Sequence, residues 1–192
     1  MRLFVAITIA PTLQNALALF SQPLKQDLGT SVRWVKPGNI HLTMKFLGEV
    51  DQPHNTLLQK ELKRIAGLFA PMELTLQGCG VFPDWKQPRV IWIGIQAPQA
   101  LNQLANILET DLQSMGFPIE ERPFTAHLTL GRINNWMTSD QKNSLRSKLE
   151  AAHHQSFGTM KADHLTLYRS DLRPEGPAYS ELLRAELSAP LA

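Results

Sequence analysis

A tetrapeptide pattern suited to proton transfer stands at two corresponding places, His41-Leu42-Thr43-Met44 and His127-Leu128-Thr129-Leu130, 86 residues apart. In each copy the imidazole and hydroxyl stand at i and i+2, so on a strand they share a face while the apolar residues turn to the other. An imidazole titrates near pH 6.5, so two of them near neutrality supply one acid and one base. Hydroxyls and a nearby cation donate to the non-bridging oxygens of a phosphate. In-line displacement at phosphorus needs that set: a base for the incoming oxygen, an acid for the leaving one, donors for the equatorial charge. One His-x-Thr is a weak signal, because threonine is a common strand residue. Two at corresponding places in a chain of repeated outline are a stronger one. Burying such groups unpartnered would cost about 1–3 kcal/mol each.

Other chemistries lack their parts. Neither copy carries Asp or Glu at i+2, H-E-x-x-H is absent, and His54, His153, His154 and His164 follow no ligand spacing, so no metal is expected. There is no G-x-x-x-x-G-K-[ST] and no G-x-G-x-x-G after a strand. Gly78 and Gly80 flank Cys79 but lead into Val81-Phe82-Pro83 rather than a helix. With one cysteine and no G-x-S-x-G, covalent hydrolysis is not supported, and Cys79 reads as a small buried filler.

The elements that must position these residues follow from apolar spacing. Strands are predicted over 2–9, 31–36, 40–47, 72–77, 89–95, 125–130, 163–169 and 178–187. Helices are predicted over 12–28, 55–68, 100–115 and from an N-cap at Ser139 to about 152. The second half repeats the first in outline. This is an α+β chain of mainly antiparallel sheet, read as two pseudo-duplicated lobes in a single unit, 1–192, without a linker.

Composition agrees. The 192 residues are 43% hydrophobic and 19% charged, with a formal charge of +2, which excludes a disordered chain. Ten basic against six acidic residues in 1–96, and nine against eleven in 97–192, suit a short anionic ligand better than a DNA-coating surface. No apolar run reaches membrane-spanning length, and the start of the chain is strand-like rather than a signal peptide. The lone cysteine points to a reducing cytoplasm.

At these residues the sequence resembles the two-histidine phosphoesterase superfamily, specifically the RNA 2′,3′-cyclic phosphodiesterases, also called LigT-like proteins or 2′-5′ RNA ligases. The resemblance runs from Arg2-Leu3-Phe4-Val5-Ala6-Ile7 through Asn39-Ile40-His41-Leu42-Thr43 and Phe46-Leu47-Gly48-Glu49-Val50 to Arg89-Val90-Ile91-Trp92-Ile93-Gly94. It continues in Arg122-Pro123-Phe124, in His127-Leu128-Thr129-Leu130-Gly131-Arg132, and in Leu167-Tyr168 with Ser170. It implies a bilobal α+β fold with one His-x-Thr strand from each lobe lining a V-shaped cleft. It also implies hydrolysis of a terminal 2′,3′-cyclic phosphate to a 2′-phosphate without metal or nucleotide cofactor, some members joining tRNA halves through a 2′-5′ bond. By resemblance His41 protonates the leaving 3′-oxygen, His127 activates water, and Thr43 and Thr129 bind phosphate oxygens; the acid and base roles are exchangeable.

Three further residues are candidates for substrate contact. Strand parity puts Arg132 out of phase with His127, and a bulge at Gly131 would bring it back as a phosphate contact. Lys45 is in phase with His41, although an exposed solubilising lysine is its ordinary reading. Trp34 suits stacking on a base, whereas Phe82 and Trp85 read equally as core or loop anchors and Trp92 as core. RNA 3′ ends, tRNA halves among them, are the expected partners of a monomer. Two alternatives accompany this reading: an RNA-end-binding module without turnover, and the same chemistry on small cyclic nucleotides or 2′-5′ oligonucleotides.

Overall fold

Apolar, β-favouring residues in Arg2–Thr8 (β1) start the chain as a strand with only Arg2 exposed. The computed structural model describes residues 1–134, 137–174 and 176–189. Pro11 opens helix Pro11–Leu28 (α1), at a position where a missing N–H costs nothing; Leu13, Leu17, Leu24 and Leu28 are buried. Val32–Trp34 (β2), a 3₁₀ turn at Pro37–Asn39 and His41–Glu49 (β3) follow. Asp51 caps Gln52–Ala66 (α2), its carboxylate accepting from the His54 N–H at 2.9 Å. The chain continues through Met72–Phe82 (β4), Val90–Gln96 (β5), Gln99–Ser114 (α3), His127–Ile133 (β6) and Ser139–Ala151 (α4). Ser156–Ala162 (β7), His164–Asp171 (β8) and Ala178–Glu186 (β9) end it.

Besides shifts of a few residues at element ends, three differences from the expectation stand out. The cap of α4 is Thr138 rather than Ser139, because Thr138 and Gln141 form a reciprocal capping box. β4 runs on through Gly78, whose φ of +74° accommodates a register shift in the pairing with β5. β7 carries few apolar residues and owes its place to pairing with β4.

Among the described residues every strand pairing is antiparallel, in the order β7-β4-β5-β6-β3-β1-β8-β9, with β2 added alongside β6. The path has a weak centre: β3 and β6 meet through one pair, Leu42 opposite Leu128. On one side of it β1, β3, β8 and β9 are backed by α2 and α3; on the other, β2, β4 and β7 are backed by α1 and α4. The lobes are therefore not the sequence halves, since β4 crosses to the second lobe and β8 and β9 return to the first. Residues facing the helices, such as Leu3, Val5, Ile7, Leu42, Leu128, Leu165 and Leu167, are all at most 1% exposed. That packing holds the strands so that alternate residues face the cleft.

Candidate active site

The Leu42–Leu128 pair fixes how the two His-x-Thr strands confront each other. An antiparallel register through that pair sets His41 toward Thr129 and Thr43 toward His127. All four side chains are half-buried, on the face opposite to the leucines.

Both imidazoles are held in the same way. Nδ1 of His41 lies 2.7 Å from the Asn39 carbonyl, and Nδ1 of His127 lies 2.7 Å from that of Thr125. A carbonyl only accepts, so each Nδ1 carries its proton and donates, and each Nε2 is the nitrogen left for proton exchange. The Thr43 and Thr129 hydroxyls make no hydrogen bond to another described protein group, which leaves them free to donate to a ligand.

The surroundings of the two rings differ. His41 packs against Phe4, with ring centroids 4.8 Å apart, and edge-on against Tyr179 at 5.3 Å. Burial among these rings pushes its pKa below the ordinary imidazole value, and the bond to Asn39 opposes the shift. His127 meets Phe82 edge-on at 5.0 Å, and Phe82 stacks on Trp92 at 5.2 Å. Trp92 lies over Gly80, where an added Cβ would come within 2.5 Å of the indole. Trp92 thus shares the cleft face with Thr129, its partner across β5–β6, instead of entering the helix-facing core.

Each His-x-Thr strand then bulges at the same step, with different consequences. In β6 Thr129 pairs with Trp92 and Gly131 with Ile91, so Leu130 is the extra residue. Arg132, paired with Val90, is thereby returned to the face of His127 and Thr129. Its charge reaches the hydroxyl of Tyr179, where it opposes the upward push of burial. In β3 Thr43 pairs with Ala6 and Lys45 with Val5, so Met44 is the extra residue. This corrects the expectation for Lys45. Strict alternation would have left it beside His41, but the bulge turns it to the helix face, where it is 2% exposed and its Nζ donates to Glu109 at 2.8 Å and to the Pro118 carbonyl at 2.7 Å. Phe46 takes the corresponding cleft position.

Trp34 is also placed differently from the expectation. Paired with Gly131, it lies on the face opposite to Arg132, with the Lys25 ammonium 5.8 Å from its ring centroid. It is an anchor for β2, not a stacking surface in the cleft.

Several cleft residues escaped the sequence reading. Phe4, Tyr168 and Tyr179 form the aromatic wall around His41. The Asn39 side chain donates to the Pro177 carbonyl at 2.9 Å, tying the carbonyl that holds His41 to the turn before β9. The tetrapeptide itself recurs a third time, as His164-Leu165-Thr166-Leu167 on β8, a signal that was there to be read. That copy is engaged internally: His164 bonds Asp163 at 2.5 Å, and Thr166 is fully buried against Thr8 at 3.2 Å. Cys79 is buried, its thiol pushed up to about 11 by desolvation. Among the described residues no three His, Cys, Asp or Glu side chains gather as metal ligands would, and no helix is long and apolar enough to cross a membrane.

Comparison with known proteins agrees with this geometry. The pattern of the family described as LigT like Phosphoesterase matches twice, over residues 7–92 and 93–179, the first match spanning His41 and the second His127. A Methanocaldococcus jannaschii protein named RNA 2′,3′-cyclic phosphodiesterase is 35% identical over 93% of this chain and 96% of its own. One of the same name from Thermotoga maritima is 30% identical over 100% of this chain and 98% of its own. Among solved structures, E. coli LigT complexed with 3′-AMP superposes with a TM-score of 0.74 at 26% identity, covering 97% of this chain and 98% of that one. The doubled match, the relatives and the shared architecture lead to one conclusion: this chain belongs to the LigT-like phosphoesterase family.

Proposed function

We propose that the protein opens the 2′,3′-cyclic phosphate at the 3′ end of RNA, leaving a 2′-phosphate, with residues 1–192 acting as one bilobal unit. The observation that carries this reading is the pair of His-x-Thr strands joined at Leu42–Leu128, each imidazole tethered through Nδ1 and free at Nε2. The names of the relatives support the choice of substrate.

In this reading Nε2 of His127 takes a proton from water as its oxygen attacks phosphorus. The bond to the 3′-oxygen breaks, and protonated Nε2 of His41 returns a proton to that oxygen. Thr43, Thr129 and Arg132 donate to the non-bridging oxygens, where charge accumulates in the transition state. Both histidines come from one polypeptide, so a monomer is sufficient. RNA ends, tRNA halves included, fit the reducing cytoplasm suggested by the lone cysteine.

A second assignment has one observation in its favour. The burial of His41 favours its neutral form, which suits a base, so the two histidines would exchange roles with the same residues in place.

The test is incubation of the pure protein with a 5′-labelled oligonucleotide ending in a 2′,3′-cyclic phosphate. A 2′-phosphate product formed equally in excess EDTA is the expected result. Tight binding without product would leave an RNA-end-binding module, and preference for mononucleotides would move the chemistry to small cyclic nucleotides.

A further inference from the structure

Beyond Arg132, a second arginine faces the cleft. β2 is three residues long and pairs with β6, placing Val32 opposite Ile133, Arg33 opposite Arg132 and Trp34 opposite Gly131. Val32 is buried on the helix side, and Trp34 packs across Gly131 on that side. Alternation therefore turns Arg33 to the face that carries Arg132, Thr129 and His127.

Two like charges directly opposed across an antiparallel pair destabilise a sheet. Both arginines are exposed, and among the described residues neither has an ion-pair or hydrogen-bond partner. Carboxylates relieve comparable charges elsewhere in the protein: Arg64 is paired with Glu61, Arg146 with Glu150 and Arg169 with Asp171. An uncompensated pair at the end of a line running His127, Thr129, Arg132 is relieved by an anion. Arg132 serves the reacting phosphate at the His-Thr end of that line, so Arg33, one strand farther out, is left to meet a different anion.

We propose that Arg33 forms a second phosphate subsite, next to the one that Arg132 serves, and that it takes an internal phosphodiester of the RNA chain beside the terminal nucleotide. The inference rests on the reading of RNA ends as substrate and adds that the site selects polymer over mononucleotide. Val32 and Trp34 anchor the strand from behind, so the backbone that carries Arg33 is in place before RNA arrives.

Binding tests it without requiring turnover. Affinity of the wild type and Arg33→Ala is measured for a fluorescent tetranucleotide ending in a 2′-phosphate and for a nucleoside 2′-phosphate as competitor. Arg33→Ala should weaken the tetranucleotide about tenfold, the size expected for one lost charge-assisted hydrogen bond. It should lower the slope of log affinity against log salt by about 0.7, and leave the mononucleotide affinity as it was. Arg33→Lys should recover part of the loss. The thermal midpoint of Arg33→Ala should not fall, since a repulsion is removed. Equal weakening of both ligands, no weakening of either, or no tetranucleotide binding by the wild type would overturn the subsite. Wild-type binding of the expected pattern without turnover of a cyclic phosphate would overturn the catalytic reading alone.

Discussion

Leu42 and Leu128 are the one register pair through which β3 and β6 touch, and both are completely buried. Each leucine sits between a histidine and a threonine of its own strand. Packing two hydrocarbon side chains on the helix face therefore fixes the approach of four polar side chains on the other. The pseudo-twofold relation between the copies extends to the tethers, Asn39 and Thr125, and to the bulges at Met44 and Leu130. It ends at Phe46 and Arg132, which occupy equivalent places with opposite chemistry. One lobe thus offers the cleft an aromatic wall and the other a cation.

Replacing either catalytic candidate should remove activity without unfolding the chain. His41→Ala and His127→Ala are each expected to lower kcat by roughly 10²–10⁴-fold, the usual worth of a positioned acid or base. Circular dichroism and thermal melting should show the fold retained. Wild-type turnover by both variants would remove the histidines from the mechanism.

A substrate whose 3′-oxygen is replaced by sulfur separates the two roles. A thiolate leaves without protonation far more readily than an alkoxide, in keeping with a thiol pKa of about 8.5. If His41 is the acid, His41→Ala should lose much less on the sulfur substrate than on the natural one, while His127→Ala gains nothing. The opposite pattern would establish the exchanged assignment that the burial of His41 favours.

The same burial makes stability pH-dependent. His41 in the folded protein titrates below its unfolded value of about 6.5. Above that pH neither state holds the extra proton, and the residue contributes no slope. As the pH falls below it the unfolded chain binds a proton that the folded protein resists, so stability drops until the folded value is passed. The thermal midpoint of the wild type should therefore fall more between about pH 7 and pH 5 than that of His41→Gln. Parallel curves would show that the ring is not desolvated.

What the sequence disclosed, and what it hid, divides along strand parity. The imidazoles and hydroxyls were legible because i and i+2 share a face for as long as a strand is regular. Lys45 and Arg132 lie beyond a bulge in each strand, and an extra residue inverts parity. The inversion expelled the lysine and recruited the arginine, and only the glycine at 131 hinted at it. Phe4 and Tyr179 were hidden for another reason: they reach His41 from β1 and β9 through pairings that no local pattern encodes. β7 was hidden because pairing with β4 places it more than its own few apolar residues do.

Lys45 offers a direct contrast between structural and substrate roles. Its Nζ joins β3 to Glu109 on α3 and to the segment that follows that helix. Lys45→Ala removes one member of a largely buried ion pair and should cost about 2–4 kcal/mol in urea denaturation, somewhat less than a fully enclosed pair because Glu109 is partly exposed. Lys45→Met, which keeps the packed stem, should cost less. Both should leave KM for RNA close to the wild-type value. A raised KM at unchanged stability would return Lys45 to the substrate.

Gly80 reaches His127 through two stacked rings. A methyl group at Gly80 would stand 2.5 Å from Cζ2 of Trp92, and an indole packed against Phe82 has little freedom to yield. Gly80→Ala should therefore cost about 1–3 kcal/mol through overpacking. Because Phe82 supports the edge of His127, kcat should fall by roughly tenfold to a hundredfold, as misplacement of a reacting group by about an ångström would produce. KM should change little. Combining Gly80→Ala with Trp92→Phe makes room for the methyl group and should restore part of both losses, a non-additivity expected only of residues in contact. Full activity in a destabilised Gly80→Ala would show that His127 is held by the Thr125 carbonyl alone.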